Sequence, residues 1–368
     1  MRPPPLWKLK RELKRIGSAV WRLIRGIFLE PPRQWFYDLM TTKKQRKING
    51  CAELGSRVAI FVLFQPKGLM QSVQLTLDHL IAEGWSIVVV SNAPLDNRDS
   101  ALVTNRAAIL IVRPNIGYDF GGYRAGLRLL ADIGHQPERL ILMNDSVWFP
   151  LREDNETLRK IESLGAAMAG HIFKTEDKKG HDHLESHLLM LSSEALRHPA
   201  WVRFWDRFVM SDDRVTTIRR GEKGLSQALI AAGLNVEGLI DRDKFLNILR
   251  DLDDISLRRV MANIVHHRSD AQALCEALSR NDMWREDFLE WVAGALKNSR
   301  QHLISTTFIA AAMELCDMGF VKKTRDIRFH LARQKILYLE TCSHITPLHP
   351  WVKAEIVKEM DKECTPKD

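Results

Sequence analysis

The sequence predicts an α/β protein built on a doubly wound, mostly parallel sheet, with an amphipathic helix before it and a helical region after it. Three observations lead there. The runs Arg57–Phe64 (RVAIFVLF), Trp85–Val90, Ala107–Val112 and Arg139–Met143 are continuously apolar and rich in β-branched residues, as strands buried on both faces are. Segments of helical spacing lie between them, such as Leu69–Ala82 through Val73, Leu77, Leu80 and Ile81, stopped by Gly84. Such alternation favours parallel strands joined by right-handed crossovers.

The first element is a helix over Leu6–Phe28. Leu6, Leu9, Leu13, Ile16, Val20, Ile24 and Ile27 follow each other in steps of three or four, and Trp7, Trp21, Leu23 and Phe28 widen that face. The rest of it carries Lys8, Lys10, Arg11, Lys14, Arg15, Arg22 and Arg25 against the single Glu12. Pro31-Pro32 are expected to end it. A basic amphipathic helix with tryptophans suits the interface of an anionic bilayer, where each basic residue contributes about 1 kcal/mol. The alternative is a helix packed on its own domain. Nucleic acid suits the charge but not the context, because no fold surrounds the helix to place it in a groove.

The 368 residues carry a net charge of +8 with 45% hydrophobic and 27% charged side chains, which fits a globular protein with anionic partners and excludes a disordered chain. The five cysteines have no CxxC spacing and read as free thiols, not as a disulfide frame or zinc site. There is no run of eighteen apolar residues and no signal-peptide pattern, so the expected location is the cytoplasm, peripheral on the inner face of the membrane. The expected division is a helix and linker over 1–55, with Thr41–Gly55 as a polar linker, a sheet domain over 56–240 and a helical region over 241–368.

Between the third and fourth strands stands RPNIGYDFGGYRAGL, Arg113–Leu127. Glycines let backbone approach a ligand, and the N-terminus of the following helix favours phosphate. Asn115, Gly117, Asp119, Gly121, Gly122 and Arg124 are therefore candidates for binding a nucleotide donor, as is Asn92 at the end of the second strand. A tight strand-to-helix turn is the plain alternative. The fourth strand ends in Asn144-Asp145-Ser146, within LILMNDSVWFP. Asn144 and Ser146 are candidate donor-binding residues, and Asp145 either ligates a divalent cation, Mg²⁺ or Mn²⁺, or caps the next turn.

After Pro150 the sequence reads as a helix at Thr157–Leu164, strands at Ala166–Phe173 and His181–Leu191 around a charged loop, and helices at Pro199–Phe208 and from Glu222 to Ala232. Helix-like segments follow at Phe245–Leu252, Ser256–Ile264, Asp270–Leu278, Arg285–Leu296 and Ser305–Asp317. Glu185 and Glu222 are candidate general bases, with an N-terminal helix charge as the plain reading of Glu222. His183 and Trp148 are candidates for contacting a second substrate. A histidine metal centre from His181, His183 and His187 is disfavoured because residues four apart on a strand stand too far apart.

The motifs NIGYDFGGYRAGL (Asn115–Leu127), LILMNDSVWFP (Leu140–Pro150) and HLESHLLMLSSEAL (His183–Leu196) together resemble the rhamnan synthesis protein F family, with looser agreement at GEKGLSQALIAAGL (Gly221–Leu234) and GFVKK (Gly319–Lys323). The resemblance runs over roughly Arg57–Lys323. It implies a Rossmann-like sheet of the GT-A glycosyltransferase type. It also implies transfer of rhamnose or a related sugar from a nucleotide-diphospho-sugar donor to a growing glycan or lipid-linked glycan at the cytoplasmic face of the membrane. One departure is that Trp148-Phe149-Pro150 stands where the family has a small residue before proline. Two other readings are a non-catalytic scaffold of a polysaccharide assembly complex and a sugar nucleotidyltransferase. The latter would want a glycine-rich basic loop after the first strand, where only Phe64–Gly68 stands.

Overall fold

Each apolar run becomes a strand whose alternate side chains enter two different cores. A computed structural model of the chain describes residues 6–41, 45–175, 181–266, 281–298 and 302–363. In β2 (Arg57–Leu63), Ala59, Phe61 and Leu63 join a core with Leu77 and Leu80 of the Gln71–Ala82 helix. Val58, Ile60 and Val62 join a second core with Phe120, Tyr123 and Leu129 of the Tyr118–Asp132 helix. Both faces of the sheet are covered, which is why these strands show no polar alternation.

The main sheet contains β1 (Arg46–Asn49), β2, β3 (Ser86–Ser91), β4 (Ile109–Val112), β5 (Arg139–Asn144), β7 (Met168–Lys174), β9 (Leu188–Leu191) and β10 (Val236–Ile240). Their order is β1-β4-β3-β2-β5-β9-β7-β10. Strands β4, β3, β2 and β5 are parallel. Strand β9 runs antiparallel between β5 and β7, and β10 is parallel to β7. The short β8 (His183–Leu184) pairs with β7 off this path. From β2 the chain goes outward to β3 and β4 on one side, then returns to β5 on the other. Such a reversal opens a crevice at the carboxyl ends of β2 and β5. The α/β class with a mostly parallel sheet is as the sequence predicts.

The helices after Ile240 close the first core: Phe245, Phe288 and Phe308 lie in it beside the strands. A two-stranded ribbon of β6 (Val147–Trp148) and β11 (Val321–Lys322) ties this helical region to the turn after β5.

Several elements differ from the sequence reading. The segment read as a linker holds β1, antiparallel to β4 at the sheet edge. Pro31-Pro32 do not stop the N-terminal helix. After a π-helical turn at Arg25–Leu29 the helix continues over Glu30–Thr41, with Glu30 N–H donating to the Arg25 carbonyl and both prolines just beyond that turn. His181–Leu191 is not one strand: β8 and β9 are separated by the residues 185–187. Strand β10, whose VEGLI sequence gives a weak pattern, went unread, as did the helix Asn97–Thr104, whereas the helices Ile327–Thr341 and Pro350–Glu363 lie in the region expected to be helical. The helix expected at Asp270–Leu278 lies outside the described residues.

The glycines of the Tyr118–Asp132 helix have a packing role. A Cβ on Gly122 would lie 2.7 Å from Val62 Cγ1, and one on Gly126 would lie 2.6 Å from Ile60 Cγ2. Their absence lets the helix lie close on β2.

Candidate functional site

The crevice at the ends of β2 and β5 is a cleft of about 1140 Å³. Its floor is the turn after β5. Asp145 Oδ2 accepts from the backbone N–H of Phe64 at 3.0 Å and from Gln65 Nε2 at 2.6 Å, so the ends of β2 and β5 are tied together. Asn144 folds back: its Oδ1 accepts from Ser146 N–H at 3.1 Å, while its Nδ2 donates to Asp119 Oδ2 at 3.0 Å and Tyr123 Oη at 3.2 Å.

One wall is the segment between β4 and the Tyr118–Asp132 helix. Gly117 and Tyr118 both have left-handed backbone, at φ 77° and 51°. For tyrosine that conformation is strained, and its phenol is held by the carbonyl of Asp212 at 3.1 Å. Arg113, which sequence reasoning passed over, organises this wall. It is buried, and its guanidinium donates to Tyr37 Oη at 3.0 Å, Asn92 Oδ1 at 2.6 Å and the Ile116 carbonyl at 2.7 Å. Asn92 Nδ2 in turn donates to the Tyr118 carbonyl at 3.0 Å. Asn115 lines the cleft with a buried Oδ1 that has no hydrogen-bond partner. Burial raises the carboxyl of Asp119 to about 6, helped by the charges of Glu222 and Asp145 and opposed by a backbone hydrogen bond.

The opposite wall comes from the second half of the sheet. Glu222 Oε2 accepts from both the backbone N–H of Ser186, at 2.9 Å, and its hydroxyl, at 2.7 Å. Its Oε1 lies 3.6 Å from His183 Nε2. Nδ1 of His183 is 2.8 Å from the His181 carbonyl, which fixes the proton there and leaves Nε2 facing Glu222. Burial lowers the His183 pKa. Glu222 does not begin a helix, so a charge placed for the helix dipole does not explain it. It lies in a π-helical turn, Ile218–Lys223, inside a helical run from Arg214 to Ala231. Gly221 in that turn packs on the Phe120 ring, where a Cβ would come within 2.5 Å. The close approach and the extra residue of the π turn aim Glu222 across the cleft.

Glu185 is the centre of a buried ionic cluster. Lys174 Nζ lies 2.9 Å from Oε1, His302 Nδ1 2.8 Å from Oε1, and Lys322 Nζ 2.7 Å from Oε2. These charges hold its carboxyl well below the ordinary range against the cost of burial. A carboxylate so held is a weak base, so the expectation of Glu185 as a base is corrected: it anchors two lysines in the cleft wall.

Of the residues singled out in the sequence, Asn92, Asn115, Asp119, Asn144, Asp145, Ser146, His183, Glu185 and Glu222 line one cleft. Others face away. Arg124 is paired in a two-pronged contact with Asp38, at 2.7 and 2.8 Å, and fastens the Glu30–Thr41 helix. Gly117 packs against Met210, Gly121 against the Ile116 carbonyl and Gly122 against Val62. Trp148 is buried, its indole N–H donating to Glu355 Oε2 at 2.9 Å, so it stacks on no acceptor sugar. Trp201 and Trp205 belong to an aromatic cluster with Phe120, Phe204 and Phe208. The sequence reading did not reach the basic wall of Lys174, Arg214, Lys223, Arg242, Lys322 and Lys323. Only the adjacent lysines of GFVKK hinted at it.

Among the described residues, no group of three His, Cys, Asp or Glu side chains is placed to hold a metal ion. Asp145 offers one carboxylate with one oxygen already engaged. That donor set fits a Mg²⁺-like ion that brings its other ligands as phosphate oxygens and water, not a resident all-protein site.

Residues 87–255 match the family model of rhamnan synthesis protein F, so the resemblance read from the motifs is borne out over that segment. The chain is 26% identical over 336 residues to the uncharacterized protein y4gN of Sinorhizobium fredii, covering 90% of this chain and 86% of that protein. The galactosyltransferase LgtC, solved with donor and acceptor sugar analogs, aligns with 13% identity and a TM-score of 0.30 over 67% of this chain and 98% of its own. An active-site mutant of LgtC aligns with 12% identity at the same TM-score and coverage. Neither likeness is close enough to bear on the site.

Proposed function

We propose that this chain, a relative of the rhamnan synthesis protein F family over residues 87–255, is a glycosyltransferase. It moves rhamnose or a related sugar from a nucleotide-diphosphate donor to a growing cell-surface glycan or lipid-linked glycan. The observation that carries this reading is the convergence, at the reversal of a parallel sheet, of acidic and amide side chains from one half with a carboxylate from the other. Asn92, Asn115 and Asp119, which line the cleft, would meet the nucleoside, and Asn144 and Ser146, on its floor, the sugar diphosphate. Asp145 would hold a divalent cation, which when bound offsets charge on the diphosphate. Glu222, with His183 beside Oε1, is the base for the acceptor hydroxyl.

The test is calorimetric titration with uridine, guanosine and thymidine diphosphates, with and without Mn²⁺, repeated on Asp145→Ala. Binding of one nucleotide, strengthened by Mn²⁺ in the native protein but not in the variant, is expected. Absence of binding to all three would leave the scaffold reading in its place.

The N-terminal helix Leu6–Ile24 is the proposed membrane contact, consistent with a peripheral place on the inner face of the membrane. Leu13, Ile16, Val20, Trp21 and Leu23 are exposed, as are Ile27 and Phe28 after them. The described residues contain no helix long and apolar enough to cross a membrane. Replacing Trp21 and Phe28 by serine is expected to abolish cosedimentation with vesicles containing anionic phospholipid. Unchanged cosedimentation would reject this contact.

A further inference from the structure

We propose that Lys322 and Lys323, from the chain's C-terminal part, hold the donor's diphosphate and neutralise it as it departs, an inference that rests on the transferase reading above. The argument begins with the β6–β11 ribbon. Lys322 is opposite Val147 in its register, and the backbone N–H of Lys323 donates to the Ser146 carbonyl at 2.9 Å. Two lysines are thereby fixed beside the Asn144–Ser146 turn. Both line the cleft.

The two ammonium groups are differently held. Lys322 reaches Glu185 Oε2 at 2.7 Å, and Lys174 reaches Oε1 of the same carboxylate at 2.9 Å. Two ammonium groups on one carboxylate leave that wall with surplus positive charge. Lys323 has only one side-chain hydrogen-bond contact among the described residues, to Ser72 Oγ at a long 3.4 Å. Its ammonium stands 5.6 Å from the centre of the Trp148 ring; burial lowers its pKa, opposed by the charges of Asp145 and Glu355. An ammonium has three donors, and a half-buried one with a single long contact retains donors for an anionic ligand.

The chemistry needs such a group. The acceptor oxygen forms its bond to the sugar's anomeric carbon, and the bond from that carbon to the β-phosphate oxygen breaks. The electron pair stays on the phosphate oxygen, and the hydroxyl proton passes to Glu222. Negative charge grows on the leaving diphosphate, while Asp145 adds another at the floor. Fixed cations on the adjacent strand stabilise that charge without having to reorganise. Because β11 lies beyond the sheet domain, the helical region then completes the donor site as well as covering the sheet.

The experiment is the nucleoside diphosphate titration on Lys322→Met, Lys323→Met and Lys323→Arg, in excess EDTA and in Mn²⁺, with uridine, guanosine and thymidine as controls lacking phosphate. Thermal melts check that each variant is folded. Native protein is expected to bind one diphosphate even in EDTA. Lys323→Met is expected to weaken that binding by roughly ten- to a hundredfold, the size of a lost charge-assisted hydrogen bond. Binding of the free nucleoside should be unchanged, and Lys323→Arg should restore much of the loss. Diphosphate binding by both methionine variants within twofold of native would overturn the inference and leave the transferase reading standing. Binding that disappears in EDTA and ignores both lysines would do the same. Failure of native protein to bind any of the three diphosphates would overturn both.

Discussion

Glu222→Gln is expected to lower the turnover of sugar transfer by two to four orders of magnitude, with little change in affinity for the nucleotide donor. The magnitude is that of removing a general base. Glutamine keeps the size of the side chain and an oxygen to accept from the Ser186 N–H and hydroxyl, at 2.9 and 2.7 Å in the native protein. What it loses is the ability to take a proton. Because the expected loss is in the chemical step, it should appear in kcat, read by single-turnover assay with a radiolabelled donor, and not in the donor's KM. A variant retaining at least a tenth of native turnover would remove Glu222 from the role. The adjacent His183 would then be tested next, since its Nε2 is 3.6 Å from Glu222 Oε1.

Glu185→Gln is expected to cost stability, on the order of 3–5 kcal/mol, because removing one partner of a buried ion pair leaves the others uncompensated. Here Lys174 and Lys322 would both remain, with side chains about one-fifth exposed beside a carboxylate that is 3% exposed. The pH dependence has a definite sign. The native carboxyl is held well below its ordinary 4.5, so its contribution is fully present above that value and is lost as pH falls further toward the depressed native value. The difference between native and variant should be full at pH 7 and shrink below pH 4.5. Burial also pushes His171 down to about 4 and His187 well below its usual range. These histidines cost both proteins stability as pH falls from 6.5, so the comparison is of differences. Urea unfolding at pH 7, 5 and 4 measures it. A difference under 1 kcal/mol at pH 7 would show that the cluster contributes little.

The two glutamates show how far residue type alone carries. Both lie in polar breaks within apolar segments, and the sequence nominated both as bases. Two lysines and His302 around Glu185, with Lys322 and His302 from more than a hundred residues downstream, take that role from it. Glu222 keeps the candidacy because its neighbours are a serine and a neutral histidine.

The glycine-rich stretch was legible as a site but not as a mechanism. Asn115 and Asp119 do line the cleft, whereas Gly122 and Gly126 serve the packing of a helix onto β2, and Arg124 binds the N-terminal helix through Asp38. A glycine permits close approach without specifying whether the approaching group is a ligand or a valine.

The sequence by itself determined the α/β class, the parallel strands β2 to β5 and the location of the cleft at their carboxyl ends. Those properties follow from local apolar runs and from the short-range rule that a strand buried on both faces needs helices on both sides. Tertiary structure alone decided which polar groups meet: Lys322 and His302 with Glu185, Arg113 with Asn92, Arg124 with Asp38. It also decided that β9 runs antiparallel between β5 and β7, and that the C-terminal helices share the sheet's core. An ion pair's role depends on partners far along the chain, and apolar periodicity holds no record of them. Burial then sets the protonation of groups such as Asp119, raised to about 6 by a cleft that exists only once the chain has folded.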